Sequence, residues 1–172
     1  MKPLQGRADI EQALQAVGEL VTAEGHSYAI VILGGAALSL LGIIDRATRD
    51  VDIVAFASDS SPGGSPKLVM PPQPMPEPLA RAIRTVAGDF GLDEKWLNTG
   101  PDLQMRMGLP DGMAARLEWR DFAGLRVGLT SPRDLVAFKL FAAAAWVKSQ
   151  DANTDEFQKI VDTVVEYVRK NR

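Results

Sequence analysis

Residues 27–56 read SYAIVILGGAALSLLGIIDRATRDVDIVAF. Ser27–Leu33 is short, continuous, partly β-branched and bounded by Gly25 and Gly34-Gly35, which predicts a buried strand. A short helix is expected over Ala36–Leu41, ended by Gly42; Asp45–Arg49 then forms a polar loop, and Val51–Phe56 reads as a second buried strand. Strand, helix, strand is therefore the first architectural unit.

Two features of this unit carry chemistry. A glycine pair between a strand and a helix lets the backbone approach a ligand closely. The first N–H groups of the helix then point at whatever sits there, which favours phosphate. A tight strand-to-helix turn is the plain alternative for Gly34-Gly35. Asp50 and Asp52 open an otherwise apolar strand, and because side chains alternate they are expected on one face, with Val51 and Ile53 on the other. Two carboxylates on one face repel unless a cation lies between them, and hard oxygen ligands of this kind suit magnesium or manganese in company with phosphate oxygens.

Working outward, Ile10, Leu14, Val17 and Val21 fall at helical spacing, with Asp9 and Gln12 as a capping pair and Gly25 as the stop. Residues 57–78 hold seven of the eleven prolines, a composition that disfavours ladder and helix. An exposed excursion is expected there, a linker or a substrate lid, with a brief extended piece at Lys67–Met70. Leu79–Phe90 returns to helix, residues 91–113 are mostly loop, and Arg116–Phe122 with Leu125–Leu129 predict an antiparallel hairpin. Ser131-Pro132-Arg133-Asp134 is a helix start, running to about Val147, and a last helix is expected over Asp155–Lys170.

Composition bounds the rest. The chain has 172 residues, 46% apolar and 24% charged, which predicts one globular domain over 1–172 and excludes a rod or a disordered chain. A net charge of −3 leaves no global positive field for coating nucleic acid. With no cysteine and His26 alone, disulfides, thiolate chemistry and a zinc site are excluded, so any metal is held by oxygen. His26 itself reads as a solvated loop residue. The polar Met1–Asp9 stretch lacks a signal-peptide core and the apolar run Leu140–Val147 is too short to span a bilayer, so a cytoplasmic protein without membrane contact is expected.

The buried strand, Gly34-Gly35, short helix, Arg46-Ala47-Thr48-Arg49-Asp50-Val51-Asp52 and following strand resemble the nucleotidyltransferase superfamily, whose best-known fold is that of DNA polymerase beta. Within it the chain is most similar to bacterial nucleotidyltransferase-like proteins grouped with the AbiEii toxins, a likeness extending over Trp96-Leu97-Asn98, Ser131–Leu135 and Lys139-Leu140 to about residue 165. The resemblance implies an α/β (α+β) fold with a mixed sheet flanked by helices. It also implies two magnesium (or manganese) ions and a nucleoside triphosphate whose monophosphate passes to an acceptor hydroxyl on RNA or protein. A toxin–antitoxin setting, with a cognate antitoxin as partner, is implied as well. Many members carry Gly-Ser where this chain has Gly34-Gly35, so a hydroxyl ligand is missing while backbone donors remain.

Two metals about 4 Å apart normally need a third acid from a neighbouring strand. Glu118 is the candidate, giving a catalytic, metal-binding set of Asp50, Asp52 and Glu118; a solvent-facing acid or a partner of Arg116 is its plainer reading. Asp155 corresponds loosely to a later acid in the toxin relatives, or caps the last helix. Gly34, Gly35, Arg46, Arg49 and Lys139 are the candidates for holding the triphosphate. Lys139 is the only charged residue from Leu135 to Val147, so it either snorkels or meets an anion at a cleft. A non-catalytic binding module on the same fold is the rival to the enzyme.

Overall fold

The computed structural model describes residues 2–58, 66–100 and 108–149. The chain divides into two compact units, Met1–Pro132 and Arg133–Arg172. The sheet lies in the first. Asp155 and the expected last helix lie outside the described residues, as do 59–65 of the excursion.

The first unit is a mixed α+β assembly. Helix α1 (Arg7–Ala23) leads to β1 (Tyr28–Leu33), α2 (Gly34–Leu40) and β2 (Val51–Ser58). Then come β3 (Lys67–Val69), α3 (Glu77–Phe90), the two-residue β4 (Leu97–Asn98), a 3₁₀ turn at Met113–Arg116, and the hairpin β5 (Glu118–Phe122) and β6 (Leu125–Leu129). Helix α4 (Pro132–Ser149) follows. The strand order is β3-β2-β1-β6-β5, with β4 added beside β2. β1 runs antiparallel to β2 and parallel to β6, so the strand–helix–strand unit closes on itself as neighbours.

One face of the sheet, formed by Ile30, Ile32, Ile53, Phe56, Leu125, Val127 and Leu129, packs with residues of α1, α2 and α3 in a single core. Ile10, Leu14, Val17 and Val21 of α1 are fully buried there, each worth about 1.5–3 kcal/mol of transfer free energy. Gly18 is what lets α1 come this near. A Cβ at that position would lie 1.6 Å from the carbonyl oxygen of Phe122, and the Gly124 N–H donates to Gly18 O at 3.2 Å.

Several boundaries differ from the sequence expectation. α1 begins at Arg7, and Asp9, expected as its cap, is its third residue, accepting the Gln5 N–H at 2.9 Å from inside the first turn. β2 extends through Ala57 and Ser58, because it pairs there with β3, which falls on the brief extended piece expected at Lys67–Met70. β4 falls in the expected loop, held by the Val51 N–H to Trp96 O (2.5 Å). The fully buried Trp96 anchors that pairing to α3 through its indole N–H on Ile83 O (3.2 Å).

Candidate phosphate and metal site at the Gly34 turn

β1 ends by passing directly into α2, and Gly34 makes the turn at φ +81°, a backbone conformation that costs a side-chain-bearing residue about 1–2 kcal/mol. In the antiparallel register Leu33 pairs with Asp52, and the carboxylate of Asp52 therefore stands over the turn. A Cβ built on Gly34 would be 3.6 Å from Asp52 Oδ2. The next residue faces a cation: a Cβ on Gly35 would be 3.2 Å from Arg46 Nη2 and 3.8 Å from Thr48 Oγ1. The structure brings Gly34, Gly35, Arg46 and Asp52 together. The space beside Gly35 belongs to a guanidinium, which offers phosphate several fixed donors where a serine would offer one hydroxyl.

On its other side β2 carries β4, where Asp52 pairs with Asn98. Asn98 shapes the next turn, its Oδ1 accepting the Gly100 N–H at 2.6 Å and its Nδ2 donating to Lys95 O at 3.1 Å. Gly100 comes close to the acid as well, since a Cβ there would be 3.8 Å from Asp52 Oδ1. Asp52 is half-buried, whereas Asp50 precedes the ladder and is exposed. Asp50 lines a cavity of about 740 Å³ together with Arg49, Asn98 and Gly100, so both acids border the Asn98–Gly100 turn.

The loop bearing Arg49 and Asp50 is held from outside the expected motif. Leu4 and Thr48 exchange both backbone hydrogen bonds at 2.9 Å, the Thr48 hydroxyl donates to Asp50 O at 3.0 Å, and the Lys2 N–H reaches Gly91 O at 2.9 Å. Leu4 is buried in the core, so the segment before α1 works as a strap over the loop. Its signal in the sequence is one leucine in a polar run, too little to reveal a pairing with a residue so far along the chain.

Glu118 is not brought to the two aspartates. Glu118 pairs with Leu129, Leu129 with Ile32, and Ile32 with Ile53. Paired residues share a face, so Glu118 lies on the α1 side with Ile53, while Asp52 lies on the other. β5 is also three strands from β2, about 14 Å at the usual strand spacing. Glu118 instead accepts from Arg120 at 2.9 Å, and Arg120 reaches across to Glu11 of α1 at 3.1 Å. Among the described residues no group of three or more acids, histidines or cysteines is arranged to hold a metal. Lys139 belongs to the second unit, exposed on α4 next to the buried Phe138.

No helix of the described residues is long and apolar enough to cross a membrane. No family model, curated protein or solved structure matches the chain.

Proposed function

We propose that this domain is a magnesium- or manganese-dependent nucleotidyltransferase, moving a nucleoside monophosphate from a triphosphate to a hydroxyl on RNA or protein. The observation that carries the reading is the approach of the Asp52 carboxylate to Gly34, with Arg46 over Gly35. A glycine turn at a strand end, a carboxylate against it and a guanidinium beside it are the parts a metal–triphosphate needs.

The donor set fits a divalent ion that substrate helps to hold. Magnesium is commonly bound by one or two carboxylates plus substrate phosphates, and Asp52 with Asp50 would supply the protein's share. Bound there, the ion would neutralise phosphate charge and lower the pKa of the attacking hydroxyl. The chain's own residues do the rest. The Gly34-Gly35 backbone and Arg46 orient the triphosphate, and Arg49, beside Asp50, takes phosphate charge on the Asn98–Gly100 side. A bond forms between the acceptor oxygen and the α-phosphorus as the bond to pyrophosphate breaks, the hydroxyl proton passing to a carboxylate of the pair. Catalysis is then mainly alignment and charge neutralisation.

Among the described residues no third acid joins Asp50 and Asp52. The missing Gly-Ser hydroxyl supports one rival: a nucleotidyltransferase-like module that binds a nucleotide or a partner chain, such as a cognate toxin or antitoxin, without turnover. Pyrophosphate release from each of the four ribonucleoside triphosphates, with magnesium and with RNA or protein acceptors, separates the two. Magnesium-dependent release supports the enzyme; nucleotide binding without release supports the module.

A further inference from the structure

The two oxygens of Asp52 face different places: Oδ2 looks toward Gly34 on the β1 side of the strand, and Oδ1 toward Gly100 on the β4 side. The β4 side opens into the cavity of about 740 Å³, within the roughly 300–1,000 Å³ typical of ligand pockets. Three cations line it: Lys2 from the strap, Arg49 from the loop before β2, and Lys95 from the turn before β4. All three are exposed, and none forms an ion pair with a described carboxylate. The acids of the same cavity are Asp50 and Asp93. The Asp93 carboxylate already accepts the Lys95 backbone N–H at 2.8 Å. Among the described residues that line the cavity none is aromatic, so none of them stacks on a base.

We propose that Lys2, Arg49 and Lys95 form a second anion site, on the opposite side of Asp52 from the Gly34 turn, that takes the phosphate groups of the molecule receiving the nucleotide. The ligand's role as acceptor rests on the nucleotidyl-transfer reading; the site itself rests on the cavity and on three cations that pair with no described carboxylate. Three separated cations suit a ligand with several phosphate charges better than a single carboxylate. With cations and no aromatic ring among the described lining residues, recognition is of backbone or phosphate chain, independent of base. That chemistry is shared by a nucleic-acid strand and by a free polyphosphate.

The test uses the full chain and the double variant Lys2→Gln/Lys95→Gln, whose altered side chains are exposed and leave the strap's backbone bonds in place. Two probes are titrated without triphosphate: a labelled six-nucleotide single-stranded RNA and inorganic tripolyphosphate. Wild type is expected to bind at least one, and the variant to bind it about tenfold more weakly at low salt. If the RNA is the ligand, the variant's plot of log affinity against log salt flattens by about 1.4, the loss of two phosphate contacts. If only tripolyphosphate binding weakens, the source is a free polyphosphate. The proposal is overturned if wild type binds neither probe, or if the variant binds both as wild type does. Magnesium–triphosphate stabilisation measured on the same two proteins keeps the readings apart. Weakened probe binding with no triphosphate effect on wild type leaves the anion site standing and removes the nucleotidyl reading.

Discussion

Asp52 and Gly34 meet across the β1–β2 pair: the carboxylate Oδ2 lies 3.6 Å from the point where a side chain on Gly34 would begin. The positive φ of Gly34 is what restricts the position, and a side chain there would make ordinary van der Waals contact with the acid. Gly34→Ala is expected to lower stability by about 1–2 kcal/mol, from the left-handed backbone alone. It should also weaken magnesium–triphosphate binding, because the methyl group would stand beside the Asp52 carboxylate where the phosphates approach the turn. Thermal denaturation with and without magnesium–triphosphate reads both effects; a variant with wild-type stability and binding would show that the turn is not under this constraint.

Glu118→Gln separates the sheet's two faces. Its carboxylate is exposed and, among the described residues, pairs with Arg120 alone, so the substitution is expected to change stability by no more than about 0.5 kcal/mol. Magnesium–triphosphate binding should be unaltered. Loss of that binding, with the fold intact by circular dichroism, would return Glu118 to the site.

Gly18 and Gly88 form a matched pair of glycine tests. Gly18→Ala places a methyl group on the Phe122 carbonyl and is expected to destabilise by about 1–3 kcal/mol or more, since backbone has to move. A Cβ on Gly88 in α3 meets nothing within 4 Å, so Gly88→Ala should stabilise by roughly 0.5–1 kcal/mol through helix propensity. Urea midpoints on the two variants should move in opposite directions.

The buried Thr130 hydroxyl ties the end of β6 to β1, donating to Ile32 O at 2.6 Å. Thr130→Val keeps the shape and the backbone N–H to the same carbonyl at 3.2 Å, and is expected to cost about 1 kcal/mol. A neutral result in chemical denaturation would mean that the backbone bond alone satisfies Ile32.

Much of this was readable from local pattern. The strand–glycine–helix passage at Leu33–Ala36 and the hairpin about Ala123-Gly124 are written in residues next to one another, so period and turn chemistry suffice. The approach of Asp52 to Gly34 follows once β1 and β2 are neighbours. What escaped depends on distant pairing. β4 is two residues long and exists because Trp96 is pinned to α3; Leu4 pairs with Thr48 across the whole of α1 and β1. Glu118 shows the limit most plainly. Alternation told which residues share its face, but only the order β2-β1-β6-β5 and the register tell which face that is, and α1 covers it.

The central claim is that Asp52 helps to hold a metal-bound triphosphate against the Gly34 turn, and Asp52→Asn tests it most directly. A ligand at 100 times its Kd stabilises a protein by about 2.7 kcal/mol, so magnesium–triphosphate should raise the melting temperature of wild type measurably. In Asp52→Asn, a near-isosteric change at a half-buried position, the magnesium-dependent rise should vanish while the ligand-free protein remains folded. A folded variant that shows the full magnesium-dependent rise would contradict the claim.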